Sequence, residues 1–174
     1  LHFPNPMTII TAKRFTINEY NRLAELGFFH EDDRVELIKG EIIPMAAKGT
    51  LHSTVNRRLI RELSKIIVNQ GTLQNQDPII IPPDSEPEPD IAILKNKDDD
   101  YLNSHPAAQD VLLLIEIADS SLKYDQEVKL PLDARAGISD YWIFNLIENC
   151  LETYNEPYED LQNKFGYRRK VIYL

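Results

Sequence analysis

Apolar positions recur along this chain at two spacings, and the switches between them mark the elements. Residues 16–27 read as a helix: Thr16 caps it, Glu19 completes a capping box, Leu23 and Leu26 supply apolar contacts, and Gly27 closes it. Residues 34–38 and 41–45 read as short strands around Lys39-Gly40, a turn in which glycine accepts positive φ. Residues 50–70 carry the clearest helical stripe, through Leu51, Val55, Leu59, Leu63, Ile66 and Ile67, with Gly71 as its stop. Residues 72–81 and 90–94 alternate as strands. The intervening PPDSEPEP, residues 82–89, reads as an extended, unpaired linker, its Asp84, Glu86 and Glu88 solvated.

Residues 95–109 are polar and irregular. The run VLLLIEI at 111–117 is nearly all apolar, so it belongs in the middle of a sheet, covered on both faces. A second amphipathic helix is expected over residues 124–136, ending at Gly137. Residues 141–145 form another buried-looking strand, with Tyr141 and Trp142 as core residues, and 151–154 with 167–173 form a terminal pair. The interleaving of helices and strands predicts an α/β fold: a mixed central sheet flanked by helices, with an N-terminal helix and hairpin.

Composition narrows the function classes. Acidic residues number 28 against 19 basic ones, a formal charge of −9, which argues against a general DNA-coating protein. The basic residues Arg57, Arg58, Arg61 and Lys65 gather on one helical face, read first as solvated surface and second as a strip that steers phosphates. Arg168, Arg169 and Lys170 read the same way. The apolar runs are too short to span a bilayer, so no membrane association is expected. The lone Cys150 excludes an internal disulfide and fits a reducing, cytoplasmic setting. Met7 is a natural start, and residues 1–14 are expected to be an N-terminal extension ahead of one domain over 15–174.

Candidate chemistry lies where acids interrupt apolar strands. Strand alternation puts Glu116 on one face with Leu112, Leu114 and Ala118. A carboxylate there needs a cation, a set of donors or an opening to water. Asp90 opens the strand DIAIL directly after Pro89. Two such acids on neighbouring strand ends suit a hard divalent cation. The plainer readings are a strand-end cap for Asp90 and a structural ion pair for Glu116. No phosphate-cradling glycine loop or nucleophile elbow is present.

The ordered set Arg34-Val-Glu-Leu-Ile-Lys-Gly-Glu41, His52, Pro89-Asp90-Ile91, Ile115-Glu-Ile-Ala-Asp-Ser-Ser121, Asp125 with Lys129, and Gly137-Ile-Ser-Asp-Tyr-Trp142 resembles the PD-(D/E)XK nuclease superfamily. More specifically, it resembles the Uma family of restriction-endonuclease-like proteins. The resemblance implies a restriction-endonuclease-like sheet, with Asp90 and Glu116 as metal ligands, the Ile117 carbonyl completing the shell and Glu36 approaching the same site. It implies Mg²⁺ or Mn²⁺ as cofactor and DNA as partner, with a homodimer as the way to pair two sites on a duplex. His52 and Asp125 are accessory candidates; His52 reads more simply as a hydrogen-bonded histidine at the core edge.

The chain departs from that pattern where the strand lysine would stand, which is Ala118. The resemblance then points to Lys129 on the next helix, sharing a stripe with Asp125 and Asp133, although Pro131 strains that helix. A surface salt bridge is the plainer reading of Lys129. Three functions are therefore open: a metal-dependent endonuclease, a non-catalytic binding or assembly module keeping the fold, and a hydrolase of smaller phosphate compounds.

Overall fold

The computed structural model describes residues 11–30 and 32–174. Helix α1 (Ile17–Glu25) carries the expected capping box, with the Thr16 hydroxyl accepting from the Glu19 N–H and the Glu19 carboxylate from the Thr16 N–H. Strands β1 (Val35–Ile38) and β2 (Glu41–Pro44) form the expected antiparallel hairpin. Gly40 takes φ +77° at its turn, and a Cβ there would lie 2.8 Å from the Arg14 Cβ. Residues 1–10 of the expected extension lie outside the described residues, while Arg14 donates to the Lys39 carbonyl at 3.2 Å.

Helix α2 (Thr50–Ile66) follows, then β3 (Thr72–Asn75), β4 (Ile91–Leu94) and β5 (Val111–Ala118). Next come α3 (Leu122–Tyr124), a wide π turn over Asp125–Lys129 and α4 (Leu130–Arg135). Strands β6 (Asp140–Asn145), β7 (Cys150–Glu159) and β8 (Phe165–Tyr173) complete the chain. The main sheet runs β3-β4-β5-β6-β7-β8, with β5 and β6 parallel and the other neighbours antiparallel. The run VLLLIEI is thus central, as its composition required.

Strand alternation sorts the core onto the two faces of this sheet. Ile91, Ile93 and Ile115 meet Leu59, Ile60 and Leu63 of α2, with Trp142 and Phe144 beside them. Ala92, Leu114, Ala118, Tyr141 and Ile143 face the other way, against Leu132 and Ile138. Each fully buried Leu or Ile contributes about 1.5–3 kcal/mol relative to exposure. Glu116 projects into this second layer, under the helical segment that carries Lys129.

Four expectations change in detail. The strand expected over 72–81 stops at Asn75, because Gln76 takes φ +55° and Pro78 has no N–H for a ladder. Helix α2 ends at Ile66 rather than 70, Asn69 turns the chain at φ +61°, and Leu51 and Ile66 of the expected stripe are exposed, because the sheet meets only the stretch around Leu59, Ile60 and Leu63. The terminal pair is longer than its apolar alternation: β7 and β8 run on together to Glu159 and Phe165, where a ribbon needs no buried face.

The fourth change matters for the site. Residues 82–89 are not an unpaired, solvated linker. Proline removes only its own donor, and the residues between the prolines use theirs. Ser85 donates to Ile81 O at 3.1 Å, Glu86 to Leu37 O at 2.7 Å, and Glu88 to the Glu36 carboxylate at 3.1 Å. Ser85 and Glu86 are buried, so this segment ties the hairpin to the head of β4. Gly40→Ala is expected to destabilise the protein by about 1–2 kcal/mol through the left-handed backbone alone, measured as a shift in urea midpoint.

Candidate active site

The sheet rim is built from the register outward. Ile91 pairs with Ile115, so β4 ends one residue short of Glu116, and Asp90 stands at that break. Pro89 cannot extend the ladder, which leaves the edge of β5 at Ile117 free to meet a side chain. The Ile117 N–H donates to Asp90 Oδ2 at 2.9 Å, and the Asp90 N–H reaches Glu116 Oε2 at 3.4 Å. Glu116 is thereby held by the backbone of Asp90, and Asp90 by the backbone of Ile117, the residue after Glu116.

Lys129 arrives from above the sheet, in the π turn. The missing N–H of Pro131 is accommodated beside that widened turn rather than by a regular helix with a broken bond, and Asp125, Lys129 and Asp133 all stay on the buried side. Its ammonium lies 3.0 Å from Glu116 Oε1, 3.4 Å from Glu36 Oε2 and 3.4 Å from the Glu88 carbonyl. Glu36 also accepts from the Tyr124 hydroxyl at 3.2 Å. On the far side of Asp90, His52 donates Nε2–H to Oδ2 at 2.9 Å, and Lys48 Nζ stands 3.3 Å from Oδ1. The Nδ1 of His52 is buried without a partner. Asp125 accepts from the Ser121 hydroxyl at 2.7 Å.

Asp90, Glu116, Lys129, Glu36, His52 and Asp125 therefore line one cleft of about 270 Å³, and Ile117 reaches it through its backbone. Sequence reasoning missed Lys48, which stands in the short loop before α2, and Tyr124, whose hydroxyl fixes Glu36. Lys48 had a signal: it precedes His52 by one helical turn and follows an apolar strand. The basic strip on α2 remains a solvated face, with Arg61 and Lys65 paired to Glu62.

Charge balance in the cleft is uneven. Burial lifts Glu116 well above the usual carboxylate range; Lys129 opposes that shift, while Asp125 and Asp90 add to it. Burial alone would lower Lys129, but Glu116, Glu36 and Asp125 outweigh it and hold the ammonium charged. Asp125 is raised to about 6 by burial, against Lys129 and the Ser121 hydroxyl. Asp90 goes the other way: its burial is overcome by His52, the Ile117 N–H and Lys48, so it stays ionised. Burial lowers Lys48 against the pull of Asp90. The cleft holds more buried acid than its cations neutralise.

That surplus, and an all-oxygen donor set, fit a hard divalent cation. Among the described residues, the three acid or thiol groups that close within 4.8 Å of one another are instead Glu148, Cys150 and Glu152. Glu152 is already saturated there by Lys170 at 2.8 Å, Asn145 at 2.9 Å, Gln126 and the Tyr154 hydroxyl, and those donors hold it down to about 2 despite burial. Its carboxylate is a structural anchor between β6, β7 and β8.

A mixed sheet with an acid at the head of β4, a second inside β5 and a lysine beside each is the arrangement of a restriction-endonuclease-like fold. The chain belongs to the Uma2 family, described as "putative restriction endonuclease", which it matches over residues 17–170. Its fold is similar to the crystal structure of a "putative nuclease belonging to DUF820" from Anabaena variabilis. The two share 15% identity and a TM-score of 0.69, over 91% of this chain and 84% of that one. No curated protein matches the chain. Among the described residues no helix is long and apolar enough to cross a membrane.

Two outcomes follow from the charge balance. Lys129→Met leaves Glu116 and Glu36 buried without their cation, and is expected to cost about 3–5 kcal/mol in urea unfolding. Asp133 is raised to about 8 by burial, partly opposed by Lys129. An acid raised on folding loses stability as pH climbs from its unfolded value, near 4, towards about 8. Asp133→Asn should therefore be more stable than the parent at pH 8, by on the order of a few kcal/mol, with the gap closing by pH 4.

Proposed function

We propose that this protein is a metal-dependent endonuclease that hydrolyses DNA phosphodiester bonds, with residues 15–174 acting as one domain. The observation that carries the reading is the meeting of Asp90, Glu116 and Lys129 at the rim of the central sheet, in a cleft with surplus buried acid. Asp90 and Glu116 are the residues that would hold Mg²⁺ or Mn²⁺, together with the Ile117 carbonyl. In a strand the N–H and C=O of one residue leave on the same edge, and the Ile117 N–H already faces Asp90. A bound divalent cation supplies electrophilic polarisation of a phosphoryl oxygen and acidifies an attacking water.

The chain's own groups do the rest. His52 pins Oδ2 of Asp90, and the Asp90 N–H pins Oε2 of Glu116, while the second oxygens of the two acids, Oδ1 and Oε1, face Lys48 and Lys129. Lys129 fixes Glu116 and Glu36 and supplies the buried positive charge that lets both stand at the rim. Tyr124 and the Glu88 N–H hold Glu36, and through it Lys129. Asp125 is buried nearby and can take up a proton near neutral pH. A homodimer would present two such clefts to the two strands of a duplex.

One observation favours a second reading, a non-catalytic module that keeps the fold. Lys129 spends its contacts on Glu116, Glu36 and the Glu88 carbonyl, and Ala118 stands where a strand lysine would be. The readings separate in a plasmid-cleavage assay with Mg²⁺ or Mn²⁺. The nuclease reading expects cutting by the purified protein and a loss of at least about a hundredfold in Glu116→Gln and Asp90→Ala. Equal cutting by both variants would assign the activity to a contaminant, and no cutting with either ion would leave the module.

A further inference from the structure

We propose that Lys48 is the residue that contacts a non-bridging oxygen of the substrate phosphate, and that Lys129 is a positioning residue for the acids. The inference rests on the nuclease reading above and deepens it. A lysine ammonium has three hydrogens to donate and no acceptor. Lys129 directs its ammonium at three internal oxygens, of Glu116, Glu36 and Glu88, and its side chain is only 6% exposed. It cannot reach a phosphate without releasing a buried carboxylate.

Lys48 differs on each point. Among the described residues its one charged contact is Asp90 Oδ1 at 3.3 Å, so donors remain to spare. Its side chain is 16% exposed and stands in the wall of the cleft, on the loop between β2 and α2. Beyond the Met45 N–H bond to Arg34 O, Ala46–Lys48 belong to no strand or helix, so the side chain can move without breaking secondary structure. Arg34, the neighbouring cation, is engaged by Glu88.

Its contact also has a consequence for the cation. Asp90 Oδ2 is taken by His52 and the Ile117 N–H, which leaves Oδ1 as the oxygen for a divalent ion. Lys48 is the cation on that oxygen, beside a long hydrogen bond of 3.5 Å from the Gln76 amide. With Asp90 Oδ1 given over to a divalent ion, the Lys48 ammonium would be free beside the acids, where phosphate is the complementary anion. Lys48 thus serves as a stand-in cation for Asp90 before loading and as a phosphate clamp after it.

The test uses Lys48→Met and Lys48→Arg in the full chain, with Mn²⁺ calorimetry, duplex-DNA cleavage and urea unfolding. Lys48→Met is expected to unfold at the parental midpoint and to bind Mn²⁺ at least as tightly as the parent, since a competitor for Asp90 is gone. Its kcat/KM on DNA should fall about ten- to a hundredfold, chiefly through KM. Lys48→Arg should recover most of that loss. Parental cleavage by Lys48→Met, in a protein whose Glu116→Gln variant is dead, overturns the phosphate contact alone. Weaker Mn²⁺ binding or a lower urea midpoint in Lys48→Met makes the residue a strut for Asp90 and overturns it as well. A parent that neither binds Mn²⁺ nor cuts DNA overturns the nuclease reading, and this inference with it.

Discussion

Lys129 sits where Glu116, Glu36 and Asp125, all buried, would otherwise face one another across the sheet rim. An unpaired carboxylate in that setting is costly or takes a proton, and a cluster of them is worse. The buried ammonium makes the cluster tolerable, and its position follows from the π turn that brings Lys129 inward ahead of Pro131. Each piece of the surrounding fold serves that placement. The segment 82–89 clamps the hairpin so that Glu36 faces inward, Tyr124 steadies its carboxylate, and β5 carries Glu116 to the same point. The compensation is incomplete by design of the residue set: Glu116 and Asp125 remain shifted upward, the condition in which a further positive charge binds with advantage.

Strand register does for Asp90 what the π turn does for Lys129. Because the β4 ladder starts at Ile91, the preceding residue projects over the open edge of β5 rather than into a paired position. Its oxygens then meet the Ile117 N–H from the sheet, His52 from α2 and Lys48 from the loop before it. Donors from three separate elements keep this acid ionised in a place where burial opposes ionisation. The two acids thus have opposite characters. Asp90 is an anchored anion, and Glu116 an acid whose charge depends on what stands next to it.

Much of this was legible in the sequence because it rests on short-range rules. The capping box of α1, the Gly40 turn, the stripe of α2 and the unbroken apolar run of β5 each follow from a few residues and one period. Asp90, Glu116, Glu36 and Lys129 were legible as a set only through family resemblance, since nothing local says that residues so far apart meet. The segment 82–89 was misread because proline content was taken to silence the whole stretch. The donors of Ser85, Glu86 and Glu88 lie between the prolines, and their partners, Ile81, Leu37 and Glu36, are fixed by tertiary packing. Lys48 was missed for a related reason. A lysine in a polar loop looks like solvent-facing charge until the sheet edge puts an aspartate beneath it.

Two lysines with unequal freedom give the cleft its asymmetry. A cation that is fully enclosed and evenly contacted stabilises charge but cannot follow a reaction, because any movement exposes a carboxylate to apolar surroundings. A cation on a loop, held by one contact at the cleft wall, has a lower cost of departure and an open side. The same physical rule, that a buried charge must keep its partner, therefore fixes Lys129 in place and leaves Lys48 as the group able to exchange partners. In that arrangement the missing strand lysine at Ala118 is not a vacancy in the chemistry. On the reading proposed above, its two tasks, neutralising the acids and meeting the phosphate, would fall to Lys129 and Lys48, on opposite sides of the acid pair.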